Sequence, residues 1–412
     1  MASGPGDIQG LRDSAAAGKR VHVVGKPASP TQYSVFNAVG SRLPHGQAWH
    51  FSKARMARVD TMYRNPAGDR HLDTEILLSH DPVTGLSNVV EQGFVFPQPR
   101  VKYFTPGVSW TEVTDEGVNA DWTYTTTEVS SATTYRAGQR TTSVWGSAPF
   151  GPRLPQALTS QQDGKPLPVA YRDGDHLVTR LPLFNSADPL HTTEPTIDSG
   201  SSANLEHGTT ELFQGDRKVD SSDIPGVADF TVPAEPGTYR LVTTGTRPSV
   251  LSSAVRSAWT FTTGHTESGV RTPLDLLDLG FVLPLDGYDK APAGKKLTGT
   301  VTVRHQPDSA GTSPVRAVRV DVSYDDGKSW RHATTKDTGH GTWSVSIPKG
   351  GRRGGFATLR ASAVDKAGTA YSRPSRGRTA CADRRWVPGR SLRGGVLAGH
   401  PPTSRGNLIP EP

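Results

Sequence analysis

Apolar and polar residues alternate most clearly between Val318 and Tyr371. Val318, Val320, Val322 and Tyr324 alternate with Arg319, Asp321 and Ser323, the period of a strand with one buried face. Trp343, Val345 and Ile347 repeat the pattern. Leu359, Ala361 and Ala363 then lead from the Gly-rich loop Gly350 to Gly355 into a turn at Asp365-Lys366-Ala367-Gly368. Between the first two runs, Ser323-Tyr324-Asp325-Asp326-Gly327-Lys328-Ser329-Trp330 fits the Asp-box pattern S-x-D-x-G-x-[ST]-W. In such a turn a carboxylate, here Asp325, accepts backbone N–H groups, Gly327 supplies a positive φ, and Trp330 covers the hairpin beside Ser323. These strands predict an immunoglobulin-like or fibronectin type III-like β-sandwich over residues 297–378.

The same punctuation recurs upstream. Leu77-Leu78, Val89-Val90, Phe94-Val95-Phe96, Val101 to Phe104, Val108-Ser109-Trp110, Trp122-Thr123-Tyr124 and Ser143-Val144-Trp145 read as short strands of a first β-sandwich over 31–155. Residues 56 to 63 fit a helix face through Met56, Val59 and Tyr63 and a strand through Ala57, Val59, Thr61 and Tyr63; we read a strand. Pro152 to Pro168 reads as a linker or long surface loop. A second β-sandwich over 156–266 contains a hairpin turned at Gly215-Asp216. Phe230 and Val232, then Tyr239, Leu241 and Thr243, then Val255, Ser257, Trp259 and Phe261 alternate within it. Pro273 to Pro292 is apolar but interrupted by Pro284, Asp286 and Gly287, which suits an extended linker over 267–296. Residues 1–30 form a leader and 379–412 a basic, disordered tail. The fold class is therefore all-β, with tandem sandwich domains.

Composition agrees with that class. A chain of 412 residues with 44 Gly and 33 Pro suits about three domains rich in turns. The single cysteine, Cys381, excludes an internal disulfide framework and any multi-cysteine zinc site. No apolar run is long enough to span a bilayer, and the N-terminus lacks the basic and apolar regions of a signal peptide. The net charge of +7 gathers after Lys349, where Arg and Lys far outnumber Asp and Glu. We read this as a solvated end and expect no nucleic-acid partner.

Candidate chemistry is sparse. Asp337-Thr338-Gly339, His340-Gly341-Thr342 and Gly311-Thr312-Ser313 each resemble one part of a subtilisin-type triad. However, Asp337 and His340 share one predicted hairpin and Ser313 precedes both, whereas a triad of that type runs Asp, His, Ser over long separations. We expect turn residues and no catalytic residue. None of the 13 histidines has paired metal-ligand spacing. Asp173-Gly174-Asp175-His176 lacks the downstream Glu of a calcium loop and reads as a hairpin turn. No metal or other cofactor is expected. The eight tryptophans read as core and sheet packing, although an exposed row would make a platform for polysaccharide or cell wall.

The order of segments resembles one family. Tyr135-Arg136-Ala137-Gly138, Trp145 to Pro152, the Leu212 to Val219 hairpin, Thr238-Tyr239-Arg240-Leu241, Ala258-Trp259-Thr260-Phe261, the Ser323 to Trp330 turn and Leu359 to Gly368 resemble the C-terminal accessory region of large secreted subtilisin-like serine peptidases of actinobacteria. The resemblance spans Tyr33 to Tyr371. It implies a non-catalytic, extracellular region whose peptidase domain, with the whole triad, lies upstream and would be a partner. Its implied roles are folding support, surface attachment or substrate engagement. The start at Met1 and the Arg-rich end depart from the pattern and suggest a separated or truncated gene product. The alternative is a stand-alone extracellular carbohydrate- or cell-wall-binding protein.

Overall fold

The computed structural model describes residues 31–37, 50–65, 72–118, 126–155, 158–159, 165–188, 190–193, 206–247, 249, 251–351 and 354–382. The expected leader, the expected Trp122-Thr123-Tyr124 strand and the tail from residue 383 lie outside them. The described residues form strands and turns without a helix, so no helix long and apolar enough to cross a membrane occurs among them. The fold is all-β, built of sheets packed face to face.

The first sandwich joins two sheets. One runs Thr31–Ser34, Gln98–Phe104, Ala57–Tyr63, Arg140–Trp145, and the other His191–Thr193, Thr126–Ser130, Ser109–Val118, Leu72–His80, Ser87–Phe94. Residues 57 to 63 are a strand, and their alternating burial puts Ala57, Val59, Thr61 and Tyr63 inward. Ala57, Val59 and Phe104 meet Leu77 and Trp110 from the opposite sheet. Because His191–Thr193 pairs with Thr126–Ser130, the chain after 156 returns to close this sandwich, and the boundary expected at 155 does not separate two bodies.

The rest of the chain holds its sandwiches in tandem, and strand pairing joins one to the next. Strand pairing runs unbroken from Arg217–Ser222 through His207–Gln214, Gly237–Thr246, Ala254–Thr263, Ala370–Ala382, Phe356–Asp365, Val315–Ser323, Arg331–Gly339, Thr342–Ile347 and Leu297–His305 to Leu277–Val282. The join lies at Ala258↔Ser372, Trp259↔Tyr371 and Thr260↔Ala370. Behind it a single apolar core runs from Leu177 and Phe230 through Trp259 to Val320, Val345 and Leu359.

Three expectations are corrected here. The 267–296 linker contains the strand Leu277–Val282, paired along its length with Leu297–His305. Five of its six residues are buried, Asp278 among them, so the strand is covered on both faces even though Leu277, Leu279 and Phe281 alternate with Asp278, Gly280 and Val282. Residues 152–155 are buried instead of forming a surface loop: Arg153 donates to Asp278 at 2.9 and 3.1 Å, and a buried cation needs such a partner. Residues 379–382, expected to open the tail, belong to the last strand, Ala370–Ala382, which pairs as far as Ala382.

The first sandwich is fastened to this body by polar contacts. Arg64 reaches Asp289 at 2.7 Å, Asp289 accepts the Ala148 N–H at 3.1 Å, and Asn65 N–H donates to the Gly287 carbonyl at 2.9 Å.

Candidate functional site

The Ser323–Trp330 turn joins Val315–Ser323 to Arg331–Gly339, and its polar groups serve the turn itself. The Ser323 Oγ–H donates to Asp325 Oδ1 at 2.6 Å, and Ser323 Oγ accepts the Gly327 N–H at 2.8 Å. Asp325 also accepts the Ser329 N–H at 2.9 Å. These donors, the Ser323 hydroxyl first, hold its carboxyl down at about 2. Gly327 adopts φ +85°, Trp330 Nε1–H donates to the Gly327 carbonyl at 3.1 Å, and the Arg360 guanidinium lies 4.4 Å over the Trp330 ring. The arrangement closes a hairpin, and the Ser323, Asp325 and Trp330 polar groups are spent on the turn.

The triad-like fragments are not assembled. His340, at φ +52°, sits exposed at the tip of the Arg331–Gly339/Thr342–Ile347 hairpin, while Asp337 Oδ1 accepts the Gly339 N–H at 2.8 Å. The Ser313 Oγ accepts the Ala367 N–H at 3.0 Å. Instead, the Ser313 carbonyl faces His305 Nε2 at 2.8 Å, and His305 Nδ1 pairs with Asp275. Asp275, His305 and Ser313 do follow the chain order of a subtilisin triad. Nonetheless, the serine offers its carbonyl to the imidazole, so no base–nucleophile contact exists. The Asp173 to His176 segment is a hairpin turn with Asp173↔His176 paired. Its Asp175 carboxylate is occupied by His265 Nδ1 at 2.9 Å and Arg172 at 3.1 Å.

Sequence reasoning missed a charged cluster inside the first sandwich. Lys102, fully buried, bonds Glu75 Oε1 at 2.6 Å, the Tyr63 hydroxyl oxygen at 2.9 Å, and Glu112. Tyr63 Oη–H donates to Glu75 Oε1 at 2.6 Å, and Arg100 approaches Glu75 at 3.7 Å. Burial pulls Lys102 down, but the adjacent Glu112 and Glu75 outweigh it and hold the ammonium above its ordinary value. Burial raises Glu112 against the pull of Lys102, whereas for Glu75 the lysine overcomes burial and the carboxyl lies lower.

Nearby, the His191 ring stacks on Trp145 with centroids 3.6 Å apart, and burial pushes its imidazole down to about 4. Inward charges in strands are the signal that could have marked this cluster. Alternation alone places Lys102 on the same face as Phe104, but a charged residue is ordinarily assigned to solvent.

The described tryptophans do not form a ligand platform. Trp110, Trp145, Trp259 and Trp343 are buried and Trp330 is half-buried, so no exposed tryptophan row occurs among the described residues.

No protein-family model matches the chain, and no curated protein matches it. Among solved structures, it aligns with a mutant of Salmonella alpha-2-macroglobulin at 10% identity and TM-score 0.21, over 81% of this chain and 33% of that one. It also aligns with the FN1–FN3 domains of chicken CNTN1 at 9% identity and TM-score 0.18, over 80% of this chain and 99% of that one. The chain thus spans about a third of the length of the first of these. The fold assignment rests on the strand pairing described above.

Proposed function

We propose that this chain is a non-catalytic accessory region of a secreted subtilisin-like serine peptidase. In this reading it is a stiff β-sandwich spacer that supports folding of the peptidase and holds it relative to a surface or substrate. The observation that carries the reading is the junction of Ala254–Thr263 with Ala370–Ala382, which fuses the later sandwiches into one sheet and one core. A fused body transmits position, whereas hinged domains would not. Support also comes from the polar groups. The triad-like side chains serve turns, and the charged cluster around Lys102 is closed to solvent. The sequence resemblance supplies the peptidase and the extracellular setting.

Two experiments test this. Fused behind a subtilisin-like peptidase domain, the chain should raise secreted yield while leaving kcat/KM on a short peptide unchanged; a changed kcat/KM with unchanged yield would contradict the accessory role. The chain alone should take no label from a fluorophosphonate probe. Labelling that disappears in Ser313→Ala would show a hydrolase. A glycan-binding role would require retention on insoluble polysaccharide, and no exposed tryptophan row among the described residues favours it.

A further inference from the structure

Three segments distant in sequence converge where the last strands meet the second sandwich. Asp275 lies between Thr272–Pro273 and Leu277–Val282, His305 ends Leu297–His305, and Asp365 ends Phe356–Asp365. Their ligand-type atoms all lie within 4.8 Å of one another. Asp365 is fully buried. Its Oδ1 accepts the N–H groups of Gly368 at 2.7 Å and Thr369 at 2.8 Å, while its Oδ2 has no hydrogen-bond partner and points toward His305 Nε2, 3.9 Å away. Leaving a carboxylate oxygen bare inside a protein is costly.

The other groups are held from behind. Asp275 takes His305 Nδ1 on one oxygen and the Thr369 hydroxyl on the other, at 3.1 Å, which fixes the ring so that Nε2 faces the Ser313 carbonyl and Asp365. A carboxylate behind Nδ1 is the usual orienting partner of a metal-bound histidine. Gly311 lies against both Asp275 and His305, where a Cβ would collide with them. The wall of the site therefore needs a residue without a side chain. Next in sequence, Gln306 accepts the Ala170 N–H at 3.2 Å and donates to the Ala170 and Leu274 carbonyls at 2.7 and 3.0 Å, so the site sits on the seam between sandwiches.

We propose that His305 Nε2, Asp365 Oδ2 and the Ser313 carbonyl bind one divalent transition cation of the zinc class, with Asp275 orienting the imidazole. One nitrogen and two oxygens favour zinc over calcium, which takes six or more oxygens. Binding displaces the proton shared between Nε2 and the Ser313 carbonyl to solvent. The cation then neutralises Asp365 and ties the 306–314 loop to two strand ends.

The test is calorimetry of the chelator-stripped full chain with zinc chloride, and with calcium chloride as comparison. One zinc per chain is expected, with a higher melting temperature and no matching calcium response. His305→Gln and Asp365→Asn should each weaken zinc binding by more than about 10-fold. No zinc uptake by the stripped wild type, uptake unchanged in both variants, or equal calcium binding would each overturn the site and leave His305 as a cation bridging two carboxylates. Should a variant fail to fold, the ¹⁵N resonance of His305 Nε2 in the wild type decides: a zinc-dependent shift supports ligation, and an unmoved resonance overturns it.

Discussion

Lys102 sits where an apolar side chain would be expected. Two carboxylates and a phenol surround it, and it is fully buried, so its removal strands like charges in the core. Lys102→Met is expected to cost about 3–5 kcal/mol in urea unfolding, with the deficit shrinking in acid as Glu75 and Glu112 take up protons. His191 gives a second residue-scale outcome. Burial keeps it neutral down to about 4, against an ordinary value of 6.5. The unfolded chain therefore gains a proton over that window while the folded chain does not. This contribution is complete above pH 6.5, falls as pH drops, and levels off below about pH 4. Its limiting slope is about 1.4 kcal/mol per pH unit. His191→Gln, compared with wild type by denaturant midpoints across that range, should remove the slope; parallel profiles would show that His191 is solvated.

At the scale of elements, what the sequence revealed depends on how plainly each strand alternates. In Val315–Ser323 and Thr342–Ile347 apolar residues alternate with polar ones, which reads directly as strand, although Asp321 and Ser323 are buried as well. The Gly215-Asp216 hairpin was equally visible, with Gln214↔Arg217 paired across a glycine at φ +59°. Leu277–Val282 also alternates, Leu277, Leu279 and Phe281 against Asp278, Gly280 and Val282, but the run is short and flanking Pro273 and Pro284 made it read as connection. The His305 site was invisible for a different reason: Asp275, His305 and Asp365 carry no local motif and meet only through tertiary pairing. The Ser323–Trp330 turn was legible because its bonds are local. Gly327→Ala, forced to hold φ +85°, should cost about 1 kcal/mol, seen as a lower melting temperature with the fold retained. An unchanged or higher melting temperature would show that the turn relaxes to another geometry.

For the whole molecule, sequence segmentation suggested tandem sandwich domains, and strand pairing further joins them into one body. Strand order across a sheet is set by long-range contacts that no local pattern encodes. Ala370–Ala382 returns from later in the chain to pair with Ala254–Thr263, and the Trp259 and Tyr371 rings meet across that seam, tilted, with centroids 5.1 Å apart. The Trp259 Nε1–H also donates to the Leu277 carbonyl at 3.0 Å. A spacer role depends on this seam being as stable as the sheets it joins. Native-state hydrogen exchange under rising denaturant tests that most directly. The fused body predicts that amides of Gly237–Thr246, Ala254–Thr263, Phe356–Asp365 and Leu297–His305 merge into one opening transition of common free energy. If the strands after residue 297 open at lower denaturant while Gly237–Thr246 stays protected, the sandwiches are separate units and the stiff-spacer reading fails.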